Sequence, residues 1–333
     1  MGQPQLTDAV PVDQSIADQL TQHRPELVGY CYRMLGSVFD AEDAVQEALV
    51  RAWRAYDRFE SRSSLRSWLY RIATNVCLDL LDGKKRRARP MDLSSPSAAP
   101  TTPGDQLADA AWIEPIPDNA IFSTSDDLAE AAVSRESIQL AFIAALQHLS
   151  PRQRAVLLLR DVVGLRASEV GVLMGCTVAS VTSALQRARS ALAARHGTAS
   201  ESAPASPLSD TQRALLLRYV DAFERFDMDA LTMLLHIDAT LSLPPYTTWM
   251  QGPDAIRAWL LGPGVGCRGS KLIRTVANGS PAVGQYRPSE SGHGYEPWAL
   301  QVIEVADGRI GGINAFRDTE RWFPLFGLPS RLD

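Results

Sequence analysis

With 333 residues, the chain is longer than one compact domain usually is, and length alone suggests two or three. Hydrophobic residues at 45% and charged residues at 21% exclude a disordered or collagen-like chain, and no run approaches the ~20 apolar residues of a membrane helix. The net charge of −5 conceals an uneven distribution: residues 90–130 carry eight acidic and no basic side chains, whereas 151–196 carry seven basic against two acidic. The opening MGQPQLTDAVPVDQ lacks the basic and apolar regions of a secretion signal, so a cytoplasmic protein is expected. Cys31, Cys77, Cys176 and Cys267 lie far apart, which predicts buried free thiols and neither a metal site nor a disulfide framework.

The first periodic unit spans 20–90. Val45, Ala48, Leu49, Ala52, Trp53 and Tyr56 recur at helical spacing and predict one apolar face. Asp43, Gln46, Glu47, Arg51 and Arg54 fall opposite. A second stripe, Leu65, Trp68, Leu69, Ile72, Ala73 and Val76, ends near Gly83 and runs into Lys84, Lys85, Arg86, Arg87 and Arg89. Such a cluster suits DNA phosphates and equally suits the C-terminal end of a helix dipole. Residues 91–127, rich in Pro, Ser, Ala and Asp without periodicity, read as an acidic linker.

The second unit spans 128–196. Ser150-Pro151-Arg152-Gln153 has the form of a capped helix start. Two short helices, about 167–174 and 179–194, joined at Gly175-Cys176-Thr177, have helix-turn-helix proportions. Val181, Leu185, Ala188 and Leu192 point inward on the second, leaving Ser180, Thr182, Ser183, Gln186, Arg187 and Arg189 outward. A short linker, 197–207, precedes the third unit, 208–333. There, Ser209 and Gln212 open an amphipathic helix, and strand-like runs follow at 239–243, 271–277, 282–286, 299–305 and 309–316. Helices followed by antiparallel strands predict an α+β fold.

DAEDAVQEALVRAWRAYDRF with SLRSWLYRIATNVCLDLL resembles region 2 of the extracytoplasmic-function (ECF) branch of the sigma-70 family, and LSPRQRAVLLLRDVVGLRASEVGVLMGCTVASVTSALQRARSAL resembles its region 4. The resemblance covers about 170 residues and implies an alternative sigma factor, not itself an enzyme and without a cofactor, that directs core RNA polymerase to specific promoters. It implies that Asp43, Gln46 and Glu47 dock on the clamp helices of the polymerase β′ subunit, and that region 4 meets the β flap. Phe59 and Asn75 match the positions that hold a flipped base of the −10 element, with Trp68 and Arg71 beside them. Holding a base outside the stack costs a few kcal/mol, which aromatic stacking can return. Lys84, Lys85, Arg86 and Arg87 would contact phosphate. Ser180, Thr182, Ser183, Gln186, Arg187 and Arg189 would meet the −35 element in the major groove. Thr182 and Ala184 stand where many relatives carry Lys or Arg, so an unusual −35 preference is expected. Arg166 replaces the usual Ser cap. The acidic linker, with Asp105, Asp109, Glu114 and Asp118, would thread a basic polymerase channel; the other reading is a solubilising tether.

LLLRYVDAFERFDMDALTMLLHIDATLSLPP, GPDAIRAWL and ALQVIEVADGRIGGINAF resemble a SnoaL-like domain of the NTF2-like superfamily. The whole is therefore expected as a multidomain chain: two all-α sigma domains, a region 2 bundle and a region 4 helix-turn-helix, plus an α+β NTF2-like cone. The cone would modulate sigma activity from within the chain, or bind a small molecule in a pocket lined by Asp238, Tyr246, Trp249, Trp298 and Phe316, with Met250 and Trp259 as further lining. The alternative is a small-molecule-binding or cyclase/isomerase-like protein with a DNA-binding module, for which His236, Asp238 and His293 are the base candidates. The last residues, from Phe316 on, would close the cone or reach the sigma domains.

Overall fold

The computed structural model describes residues 12–59, 64–84, 86–97, 106–107, 112–122, 137–194 and 208–333. In the first unit, helices α1 (Val12–Gln22), α2 (Arg24–Leu35), α3 (Val38–Ala55) and α4 (Leu65–Leu81) form a bundle. Gly36 ends α2 in the left-handed conformation, and the Ser37 hydroxyl caps α3 by accepting from the Asp40 amide at 3.1 Å. Val45, Ala48 and Ala52 are fully buried, as their spacing predicts, but Trp53 is 53% exposed. Eight positions beyond Val45 the helix has turned roughly 80° past the inward direction, which carries Trp53 off the apolar face.

The middle unit contains α6 (Leu140–Leu146), reached after the one-turn helix α5 (Pro90–Leu93), then α7 (Pro151–Leu157), a single π turn (Leu158–Val162), α8 (Ala167–Met174) and α9 (Val178–Ala193). The start of α7 is the reciprocal cap its sequence predicts: the Ser150 amide donates to Gln153 Oε1 at 3.1 Å and the Gln153 amide to Ser150 Oγ at 3.4 Å. Arg154, 3% exposed, ties the two helical units together. It donates to the carbonyls of Leu146 (2.9 Å) and Leu149 (3.3 Å), to Gln147 Oε1 (2.8 Å) and to the carbonyl of Met34 in the first unit.

The third unit packs α10 (Asp210–Glu224), α11 (Met228–Met233) and α12 (Pro253–Leu261) against a six-stranded sheet. Its strands are β1 (Leu235–Ser242), β2 (Trp249–Gln251), β3 (Lys271–Ala277), β4 (Ser280–Pro288), β5 (Tyr295–Ala306) and β6 (Arg309–Phe316), in spatial order β2-β1-β6-β5-β4-β3. Only β1 and β6 run parallel. The edge strand β2, three residues long, is too short to show alternation in sequence.

Both faces of this sheet are covered, which is why seven consecutive residues of β4 and five of β5 are buried with no alternation. Val283, Ala299, Ile303, Ile313 and Ala315 face the third unit's own helices. Ala282, Tyr286, Leu300, Val302 and Phe316 alternate with them and join one hydrophobic core with Leu27, Val45 and Leu69 of the first unit and Ile143, Leu158 and Val181 of the second. The C-terminal helix α13 (Thr319–Leu325) lies in that junction: Phe323 packs edge-on against Tyr286 at 5.1 Å and Trp322 meets Phe39 of α3 at 6.0 Å. The final residues thus reach the helical units.

Part of the expected tether is structural. Trp112, Ile113, Ile116 and Ile121 are buried, so residues 112–122 run as a strap between units. Glu114, 2% exposed, accepts from Ser37 Oγ (2.6 Å) and the Val38 amide (3.2 Å) and pairs with Arg321 (2.7 Å) and Arg87 (3.5 Å). Burial pushes its carboxyl above the usual range in spite of both arginines. At the β3–β4 turn, Asn278 adopts a left-handed conformation (φ 54°) and is fully buried. Its Nδ2 donates to Tyr32 Oη (2.7 Å) and the Ile138 carbonyl (2.8 Å), and its Oδ1 accepts from the Ile116 amide (3.0 Å).

Truncating Arg154 strands four buried acceptors at once, and each such orphan costs about 1–3 kcal/mol. Arg154→Ala is therefore expected to destabilise the protein by roughly 3 kcal/mol or more, read as a lower urea midpoint; a shift below one third of that size contradicts the role assigned to it.

Candidate nucleic-acid interface and C-terminal cavity

Asp43, Gln46 and Glu47 are all exposed along one side of α3, with Glu47 paired to Arg51 at 2.7 Å one turn on. Beside Gln46 runs an apolar groove between α1 and α3, floored by Leu20 and Leu49 and edged by Val50 and Trp53. Trp53, expected on the apolar face, and Val50 are both exposed at this groove.

Phe59 follows a 3-10 turn (Tyr56–Arg58) and stacks on Trp68 at 4.9 Å and Tyr56 at 6.2 Å. Phe59 and Trp68 are each partly buried, and Trp68 packs against the edge of the core with one side while meeting Phe59 with the other, so this aromatic ladder lies at the surface. Arg71 and Asn75 are exposed one turn apart on α4. Lys84 and Arg86 are exposed, with Arg86 touching His148 Nδ1. Lys85 lies outside the described residues. Arg87 departs from the expectation of a phosphate contact: its side chain is 11% exposed, donates to the Trp112 carbonyl at 2.8 Å and is shared between Asp40 at 3.0 Å and Glu114. Two of its partners, the Trp112 carbonyl and Glu114, come from the strap, whose sequence has no periodicity to mark it as ordered.

In the helix-turn-helix, α8 and α9 meet at 101°. Gly175 turns the chain at φ 64°, and a Cβ on Gly171 would sit 2.9 Å from the Cys176 carbonyl, so only glycine allows this approach. The Thr177 hydroxyl caps α9 through the Ser180 amide at 3.2 Å. Where a Ser cap is missing on α8, Glu169 accepts from the Arg166 amide at 2.6 Å and compensates. Ser180, Thr182, Ser183, Gln186, Arg187 and Arg189 are all exposed on α9. Arg189, however, is held by both oxygens of Asp161 at 2.7 and 2.9 Å. Among the described residues no single helix is long and apolar enough to cross a membrane; the α8–α9 pair reaches that length only across its bend.

The cavity of the cone differs from the set expected. Tyr219, Trp259, Gln285, Trp298, Gln301 and Arg317 line it, with aliphatic side chains between them. Of the predicted five, only Trp298 does. It is the extra residue of a β-bulge, where Gln285 pairs with Ala299 and Tyr286 with Pro297, and a bulge re-aims a side chain. Phe316 has the opposite parity to Ile313 and Ala315 and faces the helical units. Asp238 is exposed, its side chain 74% open to solvent. Trp249 is buried beside the segment that follows α5, its Nε1 donating to the Ser94 carbonyl at 3.0 Å, and Tyr246 takes a hydrogen bond from Gln106 at 3.0 Å outside the lining. Met250 joins the core on the cavity side. Guanidinium carbons of Arg287 and Arg317 lie 3.1 and 3.4 Å from the Trp298 ring centroid, which places them on opposite faces. Burial lowers the Arg317 pKa to about 10.

A family model for Sigma-70 region 2 matches residues 20–87, one for Sigma-70 region 4 matches 139–192, and one for a SnoaL-like domain matches 216–312. The ECF RNA polymerase sigma factor SigG of Mycobacterium tuberculosis is 45% identical over 317 residues, spanning 93% of this chain and 83% of that protein. The chain belongs to the ECF sigma factors. The RNA polymerase sigma-E factor of Escherichia coli is 28% identical over 194 residues, 56% of this sigma factor and 93% of that one. The crystal structure of the M. tuberculosis sigma factor SigJ superposes with a TM-score of 0.61 at 22% identity, covering 95% of this chain and all of that one, and so shares its fold. The C-terminal unit is therefore a SnoaL-like extension of a sigma factor.

The Asp161–Arg189 pair is solvent-exposed, and such pairs contribute under ~1 kcal/mol. Asp161→Asn should leave the melting temperature nearly unchanged while releasing Arg189, so that binding to a non-specific duplex strengthens about threefold and its salt dependence steepens by up to one phosphate contact. Unaltered binding would show that Arg189 does not face DNA.

Proposed function

We propose that this sigma factor binds core RNA polymerase and promoter DNA through its two helical modules, and that its SnoaL-like unit clamps those modules together in an inactive arrangement. Region 2, proposed as 20–90, would meet the β′ clamp helices through Asp43, Gln46 and Glu47. It would hold a flipped −10 base with Phe59 and Asn75, flanked by Trp68, Arg71, Lys84 and Arg86. Region 4, proposed as 128–196, would reach the β flap and read the −35 element through the outward face of α9. Acting at chromosomal promoters, it would reside in the cytoplasm.

One observation carries the clamp: a single hydrophobic core joins region 2, region 4 and the outer face of the SnoaL-like sheet. Reading two separated promoter blocks requires the two modules to part, and parting them exposes that core. The clamp is therefore a free-energy difference that polymerase binding must overcome. Glu114 and Asp118 support the same reading. The acidic strap spends both inside the protein, Asp118 accepting from the Gly279 amide at 2.8 Å, so they become free for a basic polymerase channel only after opening. Asp105 and Asp109 lie outside the described residues.

We assign no catalytic role to the SnoaL-like unit. Its cavity lining holds neither carboxylate nor imidazole, and His293 and Asp238 are exposed while His236 sits on the outer part of β1. A ligand-sensing role has one observation in its favour: Arg317 and Arg287 stack on Trp298 of the cavity lining, and among the described residues neither is paired with a carboxylate.

Removing residues 208–333 would bare an apolar surface, so a point substitution is the cleaner test. Asn278→Gly keeps the left-handed turn and deletes three buried hydrogen bonds, worth about 1 kcal/mol each. Affinity for core polymerase and run-off transcription from the cognate promoter should each rise about tenfold or more; wild-type values for both would reject the clamp. Independently, Phe59→Ala and Asn75→Ala should leave duplex binding within error, and Asn75→Ala the melting temperature as well, while each lowers open-complex formation at least tenfold, read by permanganate reactivity of the −10 element.

A further inference from the structure

The seam between region 2 and region 4 encloses a cavity of about 450 Å³, within the roughly 300–1,000 Å³ of small-molecule sites. Four cations, Lys84, Arg86, Arg87 and Arg154, line it against one carboxylate, Asp40. That carboxylate is already divided between Arg87 at 3.0 Å and Lys84 at 3.6 Å. Arg87 has Glu114 as a second partner, on its far side. Arg154 has spent its donors on backbone carbonyls and Gln147, but no carboxylate among the described residues neutralises its charge. The cavity is therefore strongly positive, and its low-dielectric walls concentrate that field.

A second observation points the same way. Gln147 lines the cavity and is 4% exposed; its Oε1 accepts from Arg154, yet its Nε2 has no hydrogen-bond partner. A buried amide donor without an acceptor carries an uncompensated desolvation cost. Its natural complement is an anionic oxygen. Lys84 supplies a point charge and Arg86 a planar fork, the pair of groups that grips phosphate oxygens. Leu35, Leu81, Leu149 and Pro151 form the remaining wall and offer an apolar surface that no phosphate alone would use.

We propose that this seam binds a nucleoside polyphosphate. Its phosphates lie against Lys84, Arg86 and the Gln147 amide, and its nucleoside covers the leucine and proline wall. Because one side of the cavity belongs to region 2 and the other to region 4, the ligand binds only while the modules are packed together. It stabilises that arrangement by mass action. The same phosphate chemistry could instead serve the DNA backbone, with Lys84 and Arg86 as part of the duplex-binding surface. Gln147 separates the two, since it is buried in the seam and cannot reach a duplex.

The test uses the full-length protein without polymerase, so its failure leaves the clamp reading untouched. Titration calorimetry at fixed ionic strength should show ATP binding at one per chain, inorganic pyrophosphate at least tenfold more weakly, and adenosine not measurably. Gln147→Glu retains the Oε1 acceptor for Arg154 and places a negative charge where phosphate sits. It should weaken ATP at least tenfold and leave non-specific duplex affinity within twofold. The exposed Lys84→Gln, which cannot disturb the fold, should weaken ATP at least threefold. ATP binding no tighter than pyrophosphate, ATP affinity unchanged by either substitution, or parallel loss of ATP and duplex binding in Gln147→Glu would each overturn the proposal; the last would identify a DNA-backbone patch.

Discussion

Asn278 occupies a place that only one residue type can fill. The turn needs a left-handed backbone, which asparagine tolerates better than other side-chain-bearing residues. Around it stand one amide donor from the strap, one carbonyl from the middle unit and one hydroxyl from region 2. A carboxamide presents one acceptor and two donors and satisfies all three. Aspartate would lack the donors, and glycine would keep only the main-chain bond from its amide to the Ile116 carbonyl. Because the three partners come from three separate stretches of chain, this single buried side chain sets how region 2, the strap, region 4 and the SnoaL-like sheet are registered on one another.

That registration makes sense of the two-sided sheet. Successive residues of a strand point to opposite faces, so β4, β5 and β6 each build two cores at once: one with the SnoaL-like helices and one with the sigma domains. The same rule sorts aromatic residues into different jobs. Phe316 seals the junction with Trp322, while Trp298, freed from strict alternation by a bulge, turns to the cavity mouth and is gripped by two arginines. A domain whose fold commonly encloses a pocket here uses its outer face for docking.

Charge follows the packing. Arg87, Glu114 and Arg154 are ionic groups that a surface would leave solvated, yet each lies largely inside, where it satisfies a helix end, a cap or a backbone carbonyl. Buried charges of this kind favour a unique geometry more than they add net stability. On the proposed clamp, parting the modules would return these groups to water, where a polymerase or a duplex could take them up.

Local structure was legible from the chain alone. Helix starts at Ser150 and Ser209, the turn at Gly175, the outward residues of α9 and the polar face of α3 all follow from interactions within a few residues, so spacing and side-chain chemistry determine them. The burial of Arg87, the ordering of the 112–122 strap and the orientation of Phe316 depended on which segments pack together: Arg87 on Trp112 and Glu114, the strap on Asn278 and Arg321, and Phe316 on Trp322. Linear spacing records how one element repeats. It carries no record of which element comes to lie against it, and that choice, made by the tertiary packing around Asn278, decided which of the chain's charges and aromatics face inward.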